Sequence, residues 1–314
     1  MNSLTELVTH RISGAENADV AADPDLAALL QRMQTQFGDA LAAVFLYGSY
    51  TRGERDSLTD LYVLIDDYRD VDLPSWHGVL NRLLPPNVYQ LELATGLRCK
   101  YALLPVVQFE RCIERDFHSY FWARFAQPTQ LLYARDTELR ERLVACVVQA
   151  VKRFHREVVP AIAQDVCARE IWCRGLQLTY SCELRAESSR RAADLVDANA
   201  QYFLSLTAAY AREQGWLSND SEADEDNVLQ PIGLELDPNR CERRWRWRRW
   251  WGKALSVARL IKASATFNDG FEYLLWKIER HSGIYVEPGP WAQRLPLLFG
   301  WSTFLRLYRL GAFR

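Results

Sequence analysis

One stretch of this chain combines residue types and spacing suited to phosphate chemistry. In LYGSYTRGERDSLTDLYVLID an apolar run delivers Gly48-Ser49 into a turn, and a second apolar run presents Asp60 after ten intervening residues. Phosphoryl or nucleotidyl transfer needs backbone N–H groups to hold phosphates and carboxylates to hold the Mg²⁺ that neutralises them. Gly48 permits close backbone approach, and Ser49 offers a hydroxyl. Arg52, Gly53 and Arg55 follow where a phosphate-facing loop wants them, although exposed arginines are commonly plain surface. A Gly-Ser pair alone reads as an ordinary hairpin turn; the flanking strands and the acid at this distance favour the phosphate loop.

The layout of strand, Gly-Ser, ten residues, Asp and strand resembles the polymerase-β-type nucleotidyltransferase signature. Much of that superfamily places a second acid two residues after the first, where this chain has Tyr62. A metal site must then draw further carboxylates from elsewhere, with Glu92 on the following strand as one candidate, or the site is inactive. A solvent-facing strand residue is an equal reading of Glu92.

Over residues 43–215 the chain resembles a narrower family, the mitochondrial-type CDP-diacylglycerol synthases of the translocator assembly and maintenance family. The matching pieces run in order: Tyr47-Gly48-Ser49; Asp60 leading through an apolar strand to Asp66-Asp67; Trp76-His77 with Asn81; Gly96 with Lys100-Tyr101; Arg124, Gln127-Pro128 and Leu131-Leu132; and Tyr180, Glu183 and Arg185. The family's glycine after Tyr-Gly-Ser is Tyr50 here, and its helical aspartate is Glu183. The resemblance implies a peripheral-membrane phosphatidate cytidylyltransferase that condenses CTP with phosphatidate, with Mg²⁺, at the inner face of the cell membrane. Gly48, Ser49, Arg52 and Lys100 would then hold the nucleotide. Asp60, with Glu92 or Glu183, would bind metal, and Lys100 and Arg185 would offset transition-state charge. A phosphate nucleophile is already ionised at neutral pH, so no catalytic histidine is required; His77 beside Trp76 reads first as a packed residue. Without the resemblance, Glu183, Arg185, Glu187 and Arg190 read as a surface salt-bridge ladder.

Positioning these residues takes an α+β fold: a mixed nucleotidyltransferase-type sheet with flanking helices, then an all-helical region and an amphipathic basic tail. The apolar spacing of 25–37 predicts a helix started by Asp23-Pro24-Asp25. Strands are expected over 41–49 and 58–67, and a hairpin over 88–107 turning at Thr95-Gly96. Helices are expected over 109–126 and 138–159 and through most of 165–215. The expected divisions are a nucleotidyltransferase domain (1–155), a helical domain (156–217), an acidic linker (218–239) and the tail (240–314).

Length, 49% hydrophobic residues and 25% charged residues suit a soluble globular protein, and no apolar run reaches the ~18 residues of a membrane span. Seven cysteines without a CxxC pair read as reduced thiols of a cytoplasmic protein. The net charge of −2 conceals a split, because residues 240–314 hold fifteen Arg/Lys against five Asp/Glu. That excess asks for an anionic partner. RCERRWRWRRWWGK (240–253) alternates Arg and Trp, a composition suited to anionic headgroups, and the last twenty residues fit an interfacial helix. Expected membrane contacts are Arg246, Trp247, Trp250, Trp251, Lys277, Arg280, Trp301, Phe304 and Arg306. Internal packing and nucleic acid are the competing readings of the tail. A nucleotidyltransferase acting on RNA, protein or a small molecule, and an inactive nucleotide-binding scaffold, compete for the whole chain.

Overall fold

The computed structural model describes residues 3–52, 58–72, 75–93, 96–162, 167–184, 189–217 and 237–266, with Leu229, Glu279, Ile284, Val286, Glu287, Arg306 and Arg309; side chains at 13–21, 52, 75–77, 189, 238, 261 and 263–266 are outside the description. The described elements are helices α1 (Leu4–Ala22) and α2 (Pro24–Phe37), strands β1 (Leu41–Tyr47) and β2 (Thr59–Ile65), helix α3 (Ser75–Leu83), strands β3 (Asn87–Glu92) and β4 (Arg98–Pro105), and helices α4 (Val106–Arg115) and α5 (Trp122–Phe125). Strand β5 (Thr129–Ala134) and helices α6 (Thr137–Val158), α7 (Ala168–Tyr180), α8 (Ser189–Asp197), α9 (Ala200–Glu213) and α10 (Pro238–Thr266) follow.

The expected α+β class holds. The sheet order is β3-β4-β2-β1-β5, antiparallel throughout except for the parallel pair β2/β4. Strands β1 and β2 sit centrally, which is why both read as nearly unbroken apolar runs. On one face, Phe45 meets Phe109 and Phe125 while Tyr62 meets Phe121 and Phe125, so α4 and α5 cover it. On the other, Tyr101 meets Phe37 and its hydroxyl accepts from Gln36, both on α2. Helix α2 starts where its sequence predicts: Asp23 caps it by accepting from the Asp25 N–H, with Pro24 at the first position. The β3/β4 hairpin also turns as expected, with Gly96 at φ +84° and its N–H donating to Leu93 O.

Other elements differ from the expectation. The single helix expected over 109–126 breaks into α4 and α5, with Asp116 extended at the break. Distant arginines take over the carbonyls freed there: Arg153 donates to Ile113 O and Asp116 O, and Arg248 donates to Phe117 O at 2.7 Å. Such long-range caps leave no local sequence signal. Strand β5 was not expected; it completes the sheet beside β1. Helix α6, by contrast, matches the helix expected over 138–159 to within one residue at each end. Its buried His155 forms a closed polar chain: Trp172 donates to Thr207 Oγ1, which bonds His155 Nε2, and His155 Nδ1 faces Val151 O.

Helix α10 carries most of the Arg/Trp stretch, and one of its faces is docked on the rest of the molecule. Trp245 and Arg248 are buried, Arg244 and Arg248 pair with Glu157, and Lys262 donates to Asn81 Oδ1, Leu84 O and Pro86 O. A Cβ on Gly252 would lie 2.4 Å from Cys182 O, so only glycine allows this approach. The six arginines of this stretch therefore do not all face outward, a correction to the reading of 240–253 as one membrane-facing segment. The opposite face exposes Trp247, Trp250 and Trp251, with Arg246 paired to Glu242. Among the described residues no helix is long and apolar enough to cross a membrane.

Candidate functional site

The Gly48 turn is built by a backbone that only glycine adopts easily. Its φ is +86°, and an added Cβ would sit 3.2 Å from Asp60 Oδ2. The turn Ser49–Arg52 follows at once, with Thr51 Oγ1 donating to Gly48 O at 2.7 Å. Tyr50, which replaces the glycine of the resembled family, is buried and donates to Asp23 Oδ2 at 2.9 Å. One aspartate thus caps α2 through one oxygen and anchors the loop through the other.

Strand register gathers the next residues. Asp60 pairs with Tyr47 across β1/β2 and with Lys100 across β2/β4, so the three side chains leave the sheet from the same face. Asp60, Tyr47 and Lys100 are each half-buried, as are Gly48 and Ser49. Asp66 and Asp67, at the far end of β2, hold structure instead: Asp66 pairs with Arg135, and Asp67 with Arg69 and Arg82.

Two residues beyond Asp60, where a second acid was sought, the structure has a tyrosine and an arginine. Tyr62 is fully buried and its hydroxyl accepts from Arg124 at 3.0 Å; the other Arg124 nitrogen pairs with Glu183 at 3.3 Å. Arg124 also lies 5.5 Å from the Tyr47 ring and 4.2 Å from the Tyr120 ring. Burial raises the Tyr62 pKa, so its phenol is neutral. For Arg124, burial works against the charge, but facing oxygens of Tyr120, Tyr62 and Glu183 outweigh it and the guanidinium stays protonated.

This arrangement does not fit the expected metal set. Among the described residues no three acids, histidines or cysteines converge as metal ligands. Glu92 is exposed and lies opposite Arg98 in the β3/β4 register, two strands from β2. At sheet spacings of about 4.8 Å between strands and 3.4 Å per residue, its Cα lies about 12 Å from that of Asp60. That span takes nearly the whole extended length of an Asp and a Glu joined through one Mg²⁺ at about 2.1 Å per bond, which side chains standing perpendicular to the sheet do not provide. Glu183 does come to the Asp60 face, but a guanidinium engages it.

Arg185, Lys277, Arg280, Trp301 and Phe304 lie outside the described residues, as does the side chain of Arg52. Arg306 is described and exposed. Tyr120 and Arg259 were not singled out from sequence: Tyr120 sits in what reads as a helix face, and Arg259 reaches the site only through the docking of α10. Two of the matched sequence pieces, Arg124 with Gln127-Pro128 and Tyr180 with Glu183, meet in this corner, where Tyr180 donates to Gln127 Oε1 at 3.0 Å.

No known protein family matches the chain, and no curated protein matches it. Among solved structures, a nucleotidyltransferase-like protein from Exiguobacterium sibiricum 255-15 aligns over 92% of both chains, at 12% identity and a TM-score of 0.28. A likeness of that size says nothing about activity or site residues. The phosphatidate cytidylyltransferase resemblance therefore stands on its six sequence pieces alone.

Proposed function

We propose that this protein is a nucleotidyltransferase that holds nucleotide phosphates at the Gly48-Ser49 turn, beside Asp60 and Lys100. The observation that carries the reading is the fit of Gly48 against Asp60: a φ of +86° favours glycine, and a Cβ would crowd Asp60 Oδ2 at 3.2 Å. A tight glycine turn held against a strand-borne acid suits phosphate transfer. Lys100, on the same face, and the fixed charge of Arg124 supply positive potential.

Within that class, the ordered motifs favour CTP and phosphatidate. The phosphate monoester of the lipid would attack the α-phosphorus of CTP, forming the new P–O–P link as pyrophosphate leaves. Mg²⁺ belongs to this reading by resemblance; the described acids do not assemble around one ion. The exposed Trp247, Trp250 and Trp251, with Arg243 and Arg246 near them, suit a phospholipid surface.

A second reading follows from Tyr62. With a neutral phenol and an arginine where another acid is usual, the site suits nucleotide binding without transfer. One experiment separates the two: pyrophosphate release from each NTP with Mg²⁺, with and without phosphatidate vesicles. Release from CTP that needs the lipid supports the first reading, with Asp60→Asn losing on the order of 10²–10³ in rate. Nucleotide binding with no release under any condition supports the second.

A further inference from the structure

The docked face of α10 brings a second arginine to the site. Trp245, Arg248, Gly252, Arg259 and Lys262 recur along one side of the helix and face the molecule. Gly252 rests on Cys182, the neighbour of Glu183 in sequence, and two turns later Arg259 lies 4.3 Å from the centroid of the Tyr120 ring. Arg124 stacks on that same ring at 4.2 Å. One aromatic side chain therefore gathers a guanidinium from α5 and one from the C-terminal helix.

The two arginines differ in their company. Arg124 has the carboxylate of Glu183. Among the described residues no carboxylate reaches Arg259 within ion-pair distance; it donates to Pro85 O at 2.8 Å and approaches His118 Nε2 at 3.4 Å. That histidine nitrogen also faces Asp116 Oδ2 at 3.2 Å. A single ring nitrogen cannot donate to Asp116 and accept from Arg259 at once. With the closer bond to Asp116 made, the Arg259 N–H aimed at His118 has no acceptor among the described residues. Arg259 is half-buried, as are Tyr120, Tyr47 and Glu183, and Arg124 links these side chains to the face of the sheet that carries Asp60. Glu183 and Asp116 act on this guanidinium from beyond ion-pair distance, and a partly desolvated guanidinium with no carboxylate in direct contact favours an anion that brings several acceptor oxygens. Burial lowers the pKa of Arg259, and an anion beside it would oppose that shift.

We propose that Arg259, held against Tyr120 beside the Arg124–Glu183 pair, forms a subsite for a phosphate monoester, separate from the Gly48-Ser49 turn. The inference rests on the reading of the site as one for phosphate-bearing ligands, and it assigns the second of them. Its arginine comes from the basic C-terminal segment, so α10 is part of the site and not only a surface device.

The test uses the full chain and arginine-selective labelling with phenylglyoxal, read by peptide mass spectrometry, so no variant has to fold. The probes are inorganic phosphate, CTP, vesicles containing phosphatidate, and vesicles containing phosphatidylglycerol, a diester of the same sign. Protection of Arg259 at least about fivefold by phosphatidate vesicles and not by phosphatidylglycerol assigns a lipid monoester. Protection by inorganic phosphate alone assigns a soluble one. Equal labelling under all conditions, or protection by CTP alone, overturns the subsite. In calorimetry, Arg259→Gln is expected to weaken binding of the protecting monoester at least tenfold while changing CTP affinity less than twofold; equal losses for both ligands would also overturn it. The outcome is independent of turnover: absence of pyrophosphate release with Arg259 protected removes the transferase reading and leaves the subsite.

Discussion

At the scale of single residues, the site is defined as much by what is missing as by what is present. Gly48 holds a positive φ, and a Cβ there would crowd Asp60 Oδ2 at 3.2 Å. Gly48→Ala is expected to cost about 1–2 kcal/mol for the positive φ alone, and to push Asp60 from the turn. Denaturant unfolding and nucleotide titration together check it; unchanged CTP affinity in a folded variant would remove the phosphate role of the turn. His155 makes a different kind of prediction. Burial depresses its pKa to about 4 from 6.5, so the folded imidazole is neutral while the unfolded one takes up a proton first. Stability contributed by this group is complete above pH 6.5 and declines as pH falls toward 4. Between pH 6.5 and 5 the loss is about 2 kcal/mol. Urea unfolding at pH 7 and pH 5 measures it, and His155→Gln should remove that part of the slope. A variant with the full slope would place the acid sensitivity elsewhere.

At the scale of elements, the decisive contacts are those that sequence neighbours cannot supply. The α4/α5 break depends on Arg153 and Arg248, which lie far along the chain and take carbonyls that a continuous helix would have satisfied. Without the break, Tyr120 and His118 would not leave the helix to meet Arg259. Helix α10 depends on Gly252 in the same way. Alanine is the better helix former by up to about 1 kcal/mol, yet Gly252→Ala is expected to destabilise by about 1–3 kcal/mol because its Cβ meets the Cys182 carbonyl. Thermal unfolding reads the sign. A stabilised variant would mean that α10 is not seated against residue 182.

At the scale of the whole molecule, α10 separates two roles that its composition merges. Trp245, Arg248, Arg259 and Lys262 face inward, while Trp247, Trp250 and Trp251 form an exposed aromatic group. Replacing the three exposed tryptophans by serine is expected to abolish co-sedimentation with phosphatidate vesicles and leave the melting temperature within about 2 °C, since surface changes cost little. Raising the salt should weaken wild-type binding, as it does for any association aided by arginine. A triple variant that still sediments would place the lipid contact elsewhere.

Much of the frame was legible in the sequence. The Asp23-Pro24 start of α2, the buried runs of β1 and β2 and the Gly96 hairpin all follow from local propensity and hydrophobic period, which neighbouring residues encode directly. So did the Gly48-to-Asp60 spacing, because adjacent antiparallel strands turn a distance along the chain into a distance in space. The partner of Asp60 was not legible. Glu92 and Glu183 were equal candidates on paper, and strand order removed the first while Arg124 engaged the second. Arg259 was the least visible of all, more than 130 residues after Arg124 in sequence. Sequence alone determined which residues could bind phosphate; the docking of α10 and the order of the strands decided which of them share a surface, because long-range packing has no period to read.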